Sequence, residues 1–388
     1  MTVMNIGFVP LLDAAPVIVA AEMGFAAEEG LTLNLQPAAS WSLVRDMLAF
    51  GTVDAAHMLA PVPVAGALAL GGGTKVNLSV GAVLSMNGTV IGVGEPVANR
   101  MRDAGFVFDF ADPIAARETL LAVAPKPLRL GVPFPFSMHY ELVTYWLGVA
   151  GQGAVDIRTV PPSLMADAIA NDEIDAFCVG EPWGSLVVEQ TAGTLLLPST
   201  AIWSQAPEKV LAMRTDWGDE NVEVRNALIR AMVKAAQWLG DPSSSTIAAE
   251  ILSATEFLDL PAEVLDRGLS GHLTISSRGD NRRVIDFVNF FAGAANFPWR
   301  SQAEWIGAQL AQRAGLDQKT ACKRAASVFR SDWYRDAMVG TGFDVPGASS
   351  KIEGANANDM PIASALGRLT LKPNQFYDCR VFDPDQVG

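Results

Sequence analysis

Cysteine and histidine are both scarce in this chain, with three of each in 388 residues. Cys178, Cys322 and Cys379 lie far apart, and so odd and sparse a set argues against a disulfide framework. Cys178 sits in the apolar run Ala176-Phe177-Cys178-Val179, where buried strand filler is expected ahead of a reactive thiol. No His, Cys and carboxylate set has metal-ligand spacing, so neither a metal nor a cofactor is expected. Three scattered histidines leave a hydrolytic triad without support. Gly71-Gly72-Gly73-Thr74-Lys75 lacks P-loop spacing and precedes a strand instead of a helix. A binding protein is therefore expected, not an enzyme.

Positive charge is also short. Lys and Arg number 28 against 42 Asp and Glu, a formal net charge of −14. Direct contact with nucleic acid is not expected of such a chain, because phosphate neutralisation needs clustered cations. The same charge repels small anions at long range, so any anion site must rest on helix N-termini and a few placed cations. The N-terminus has no basic segment, apolar segment or small-residue cleavage site. The Ala/Val stretch at 14–21 is too short to span a bilayer, and Glu22 ends it. Read from Met1, the chain is expected to be cytoplasmic.

What is present is a folded chain, half hydrophobic and only 18% charged. Its length suits two lobes and an appendage better than one core. The first half contains an internal echo. Asn5-Ile6-Gly7-Phe8-Val9-Pro10 is a strand closed by proline, followed by a helix from Pro16 to about Glu29 and the strand Leu31–Leu35. Ser40 then caps a helix from Trp41 to Phe50, and 53–58 is the next strand. Leu128–Pro133, a helix capped by Ser137, the strand Val155–Val160, a helix over Ser163–Asn171 and 174–179 repeat that order. Alternation of this kind predicts parallel α/β units in each half. Residues 1–94 and 205–290 are assigned to lobe 1 and 95–204 to lobe 2. Residues 291–388 are read as a helical C-terminal extension and tail packing on lobe 1, with helix and aromatics over about 283–340.

Three helix starts should face a cleft if ligands bind beyond the carboxyl ends of parallel strands. At Ala39-Ser40-Trp41, free backbone N–H groups and the Ser40 hydroxyl form an anion seat with Trp41 beside it. A plainly capped helix with a half-buried Trp gives the same pattern. At Phe136-Ser137-Met138-His139, the capping Ser137 precedes a first-turn histidine that the helix N-terminus would hold neutral. A core or surface histidine satisfied by backbone is the alternative. At Val179-Gly180-Glu181-Pro182-Trp183, Gly180 would let backbone approach a ligand, or would simply be a strand-to-helix turn. Lys209, at the start of an apolar strand, could close a charge-assisted bond to an anion; a solvated lysine paired with Glu208 is the default.

Taken together these segments resemble the nitrate/bicarbonate-binding branch of ABC-transporter solute receptors. The resemblance rests on the opening strand-Gly-x-x-Pro, Ala14-Ala15-Pro16, Ser40-Trp41, Asp54–Leu59, Asn87-Gly88, Ser137–Tyr140, Asp175–Trp183 and Pro207–Leu211. It covers about residues 4–340. It implies an α/β, two-lobed periplasmic-binding-protein-like (type II) fold. It also implies ligand roles for Trp41, His139, Gly180 and Lys209; the capping residues Ser40 and Ser137 and the motif residue Asn87 are further ligand candidates. Where the family also uses a glutamine, the segment after Asn87-Gly88 offers Thr89 here. Bicarbonate receptors of the branch recruit calcium through added carboxylates, and no such cluster is visible. With no export signal, the resemblance narrows to a cytoplasmic nitrate/nitrite sensor of the NasS kind. Its implied partner is a NasT-like, ANTAR-class RNA-binding antiterminator, released when nitrate or nitrite binds. The alternative is an exported binding subunit for nitrate, bicarbonate or a sulfonate.

Overall fold

The computed structural model describes residues 1–72 and 76–387. Gly73, Thr74 and Lys75 of the glycine run lie outside the described residues. Strands β1 (Thr2–Phe8), β2 (Leu31–Pro37), β3 (Ala55–Leu59) and β4 (Leu78–Asn87) come first. Next are β5 (Thr89–Gly94), β6 (Leu128–Val132), β7 (Val155–Thr159), β8 (Ala176–Gly180) and β9 (Gly193–Pro198), before β10 (Pro207–Arg214) returns. One sheet has the order β2-β1-β3-β10-β4 with Val288–Asn289 at its edge; the other runs β7-β6-β8-β5-β9.

Each sheet has the same logic. β1, β2 and β3 are parallel, as are β6, β7 and β8. β10 joins the first set antiparallel, and β5 joins the second antiparallel. An antiparallel strand begins where its parallel neighbours end. The first residues of β10 and β5 therefore lie at the carboxyl rim of their sheets, with Lys209 opposite Leu59 and Thr89 opposite Gly180. β3 reads Ala-Ala-His-Met-Leu and is buried at all five positions, as a parallel strand covered on both faces should be.

Helices are set against these rims by short, legible devices. Ser40 Oγ accepts the Leu43 N–H at 3.3 Å, and Ser137 Oγ accepts that of Tyr140 at 3.1 Å, capping Trp41–Ala49 and Met138–Gly151. Gly7 of β1 lets the first of these pack closely, since a Cβ there would lie 2.9 Å from Val44 Cγ2. The helix expected over 16–29 is split at Gly24 into Ala15–Glu22 and Phe25–Glu28.

Passage into the second sheet lies at Asn87-Gly88, not after residue 94, because β5 already pairs with β8 and β9. The apolar run Leu78–Gly94 hides the change, and only a two-residue left-handed kink (φ 58° and 84°) marks it. Asn87 ties the two crossovers together. Its amide donates to Ser204 C=O at 2.7 Å, and its Oδ1 accepts the Ala206 N–H at 3.4 Å.

The C-terminal extension also differs from its expected placement on lobe 1 alone. Helices Arg300–Ala314, Gln318–Ala326 and Ser331–Met338 follow a stretch from 284 to 299 whose one regular piece is the edge strand Val288–Asn289. Arg313 reaches lobe 2, donating to Pro135 C=O at 2.9 Å and pairing with Glu141 at 3.1 Å. In the tail, Asp378 accepts the Tyr145 hydroxyl at 2.9 Å, while buried Glu353 accepts Ser301 Oγ at 2.6 Å. A non-periodic tail is thus pinned by single polar contacts to lobe 2 and to the extension's own first helix. Asn87→Ala should lower stability by about 2 kcal/mol, through left-handed strain and two lost bonds. Asn87→Gly should recover only the strain; equal urea midpoints for all three proteins would contradict this.

Candidate functional site

Where the two carboxyl rims meet, a set of charged and polar side chains is closed off from water. Lys209 is completely buried, which removes the solvated alternative for it. Its Nζ lies 2.7 Å from Asp13 Oδ2 and 2.8 Å from Glu208 Oε1, and 5.3 Å from the Trp41 ring centroid. The geometry is that of a cation shared by two carboxylates over an aromatic face.

Glu208 and Lys209 are sequence neighbours, and a regular strand would send them to opposite faces. A bulge prevents that. Pro207 pairs with Met86 and Lys209 with Ser85 on β4, leaving Glu208 as the extra residue between them. Both side chains can then serve one side of the sheet. Asp13 comes from the turn Leu12–Ala14 after β1, and its Oδ1 lies 3.0 Å from His57 Nε2 on β3. The Trp41 ring packs 5.5 Å from that of His57.

The second lobe brings His139 and Gly180. His139 Nδ1 is 3.3 Å from Glu208 Oε1, across the lobes. A Cβ on Gly180 would lie 2.7 Å from Leu11 Cδ2, 3.5 Å from Asp13 Oδ2 and 3.8 Å from His139 Nε2, so only glycine allows this approach. The rims are stitched by backbone as well. The Leu12 N–H donates to Glu181 C=O at 2.9 Å, and the Trp183 indole N–H to Pro10 C=O at 3.1 Å.

Burial and charge set the protonation states. Burial alone would raise the Asp13 carboxyl, but the Lys209 charge and the His57 contact outweigh it and bring it down to about 2. Burial would lower Lys209, yet its two carboxylate partners hold it above the ordinary lysine value. Burial lowers His57 against the pull of Asp13, so the neutral ring donates from Nε2. Burial, reinforced by Lys209, drives His139 well below the usual histidine range. Its neutrality was expected from the helix end; desolvation is the larger cause. Glu208, the second carboxyl on Lys209, is pushed up by burial to about 7 despite Lys209.

Of the residues singled out in the sequence, Trp41, His139, Gly180 and Lys209 come together at this cleft. Trp41 Nε1 and both His139 nitrogens are buried without a hydrogen-bond partner, as is Thr89 Oγ1. Ser40, Ser137 and Asn87 are occupied otherwise. Ser40 caps its helix and Asn87 fastens the crossovers. Ser137 Oγ also donates to Phe134 C=O at 2.7 Å. Asp13 and His57 escaped notice, and Glu208 figured only as a partner on the surface. Their signal was a lone polar residue inside an apolar run, as in Leu11-Leu12-Asp13-Ala14-Ala15.

Because Glu208 titrates higher folded than unfolded, it favours the folded state below about 4.5, and that contribution is lost as pH rises through about 7. The stability of Glu208→Gln relative to the parent protein should therefore rise between pH 5 and pH 8, measured by denaturant unfolding. A difference that stays constant with pH would contradict the assignment.

Comparison with known proteins finds relatives along nearly the whole chain. The nitrate/nitrite binding protein NrtA of Nostoc is 29% identical over 396 residues, covering 98% of this chain and 83% of that protein. The nitrate import ATP-binding protein NrtC of Synechocystis is 30% identical over 321 residues, 81% of this chain but only 46% of that protein. The crystal structure of the periplasmic nitrate-binding protein NrtA from Synechocystis aligns with a TM-score of 0.84 at 25% identity, over 100% of this chain and 99% of that one. The two-lobed α/β architecture is that of the periplasmic binding proteins. The profile of the NMT1-like family matches residues 1–253, and the chain belongs to that family.

Proposed function

We propose that this chain is an oxyanion receptor, the solute-binding component of a nitrate or nitrite importer. The observation that carries the reading is the fully buried Lys209, enclosed between lobes beside the unpartnered donors Trp41 Nε1 and His139. A small planar anion offers acceptors to all three, and the Trp41 face suits its plane. Gly180 would bring backbone close to the same point. Closure over the anion then links binding to lobe arrangement, the signal a transporter's membrane subunits can read.

The importer reading is favoured over a sensor because the relatives are named as nitrate import and nitrate-binding proteins. The sensor reading, with release of a NasT-like partner, rests on the position of Met1 alone. Bicarbonate is the nearest competitor as ligand, since the bicarbonate-binding protein CmpA of Synechococcus is 26% identical over 98% of this chain.

Titration calorimetry with nitrate, nitrite, bicarbonate and an alkanesulfonate tests the reading; nitrate or nitrite should bind most tightly. Heat from a different solute alone would overturn it. Trp41→Phe keeps the ring but removes the N–H donor, and should weaken nitrate about tenfold. Gly180→Ala should weaken it at least as much, because the added methyl meets Leu11 and holds the lobes apart. Unchanged affinity in both variants would move the site elsewhere.

A further inference from the structure

Ser85 lies beside the buried lysine and bonds to nothing. It is near the end of β4, and in the antiparallel pairing of β4 with β10 it is the residue opposite Lys209. Directly opposed residues project to the same face of a sheet, with Cβ atoms about 5 Å apart. On its other flank Lys209 lies opposite Leu59 of β3. The cation is therefore bordered by an apolar side chain on one strand and by a hydroxyl on the other. Ser85 is 1% exposed, and its Oγ has no hydrogen-bond partner among the described residues.

That isolation lowers stability, because a hydroxyl taken from water and left unpaired forfeits its hydrogen bonds. Other buried serines avoid the loss. Ser79, on the same strand, has its Oγ 2.9 Å from Thr215 Oγ1, and Ser301 donates to Glu353 at 2.6 Å. Ser185 and Ser331 also lack partners, but each sits in the first turn of a helix instead of opposite a cleft lysine. The neighbours Val83, Leu84 and Met86 are all buried and apolar, so an apolar residue would suit position 85 for packing alone. A lone polar residue in an apolar run is the signal that Asp13 and His57 also show. Counting donors gives the hydroxyl a purpose. An ammonium has three hydrogens, and Asp13 Oδ2 and Glu208 Oε1 take two of those on Lys209, at 2.7 and 2.8 Å. Lobe 1 then offers one hydrogen from Lys209, one from Trp41 Nε1 and one from Ser85 Oγ, which matches the three oxygens of a trigonal anion.

We propose that Ser85 is a further ligand-binding residue, its hydroxyl donating to an oxygen of the anion seated at Lys209. The inference rests on the oxyanion-receptor reading above and adds a contact from the strand that leads into the second sheet. A serine hydroxyl turns to suit its acceptor, and its bond to a charged oxygen is stronger than one to a neutral group. A hydroxyl whose partner is the ligand contributes to affinity and detracts from the stability of the unliganded protein. A hydroxyl with a structural role does the reverse.

The test pairs nitrate calorimetry on the full chain and on Ser85→Ala with urea midpoints of both proteins measured without nitrate. Ser85→Ala should bind nitrate about tenfold more weakly, while its urea midpoint equals or exceeds that of the parent. Ser85→Cys, close to serine in size but a weak donor, should also bind more weakly, and it carries the test if the alanine variant fails to fold. Unchanged affinity, or weaker binding together with a lower midpoint, would make the hydroxyl structural; either result overturns the inference and leaves the receptor reading in place. No heat from nitrate or nitrite with the parent protein, where another solute binds, would overturn the receptor reading and this inference with it.

Discussion

Lys209 is the point on which the molecule turns. A lysine ammonium removed wholly from water is tolerable only with ionic partners, and loss of one partner of a buried pair costs about 3–5 kcal/mol. Asp13 and Glu208 supply that partnership, but they oversupply it, and the excess has consequences. One acid, Asp13, is held firmly ionised by Lys209 and His57. The other is held near its midpoint, so the charge of the cleft is set by solvent proton activity as well as by residue content. In a chain of formal charge −14, attraction for an anion comes from this local balance and not from the surface.

The fold delivers these groups to one place by a simple rule of direction. Parallel strands end at the cleft rim, and the two strands that cross between lobes begin there. Asp13, Trp41 and His57 belong to the first lobe's parallel unit; His139 and Gly180 belong to the second's. Glu208 and Lys209 open the returning strand. The bulge at Glu208 puts adjacent residues to work together, and Asn87 fixes the crossovers beside them. Arg313 and Asp378 then fasten the extension to the second lobe, so any opening of the cleft must also work against the appendage.

Much of this was legible in the sequence because it is local. Serine caps, prolines in first helical turns and the strand-helix alternation are short-range signals, and they predicted the two α/β units. Trp41, His139 and Gly180 stood out at helix starts and Lys209 at the start of a strand, and a resemblance joined them. What was not legible is long-range or irregular. Asp13 meets Lys209 only through the sheet order that inserts β10 beside β3. Glu208 looked like a surface partner because a solvated pair is the default for a lysine and its acidic neighbour, and the bulge that buries both leaves no mark in a single sequence. The passage at Asn87-Gly88 was masked by apolar residues on both sides. The extension's grip on lobe 2 depends on single arginine and aspartate contacts that no periodicity announces.

The central claim is that a small oxyanion is held at Lys209 inside the closed cleft. A crystal structure of the protein grown with nitrate tests it most directly. The account predicts planar density between the lobes, within hydrogen-bond distance of Lys209 Nζ, Trp41 Nε1 and His139 Nε2, with the Trp41 ring against its face. Nitrate bound elsewhere, with Lys209 still engaged only by Asp13 and Glu208, would contradict it.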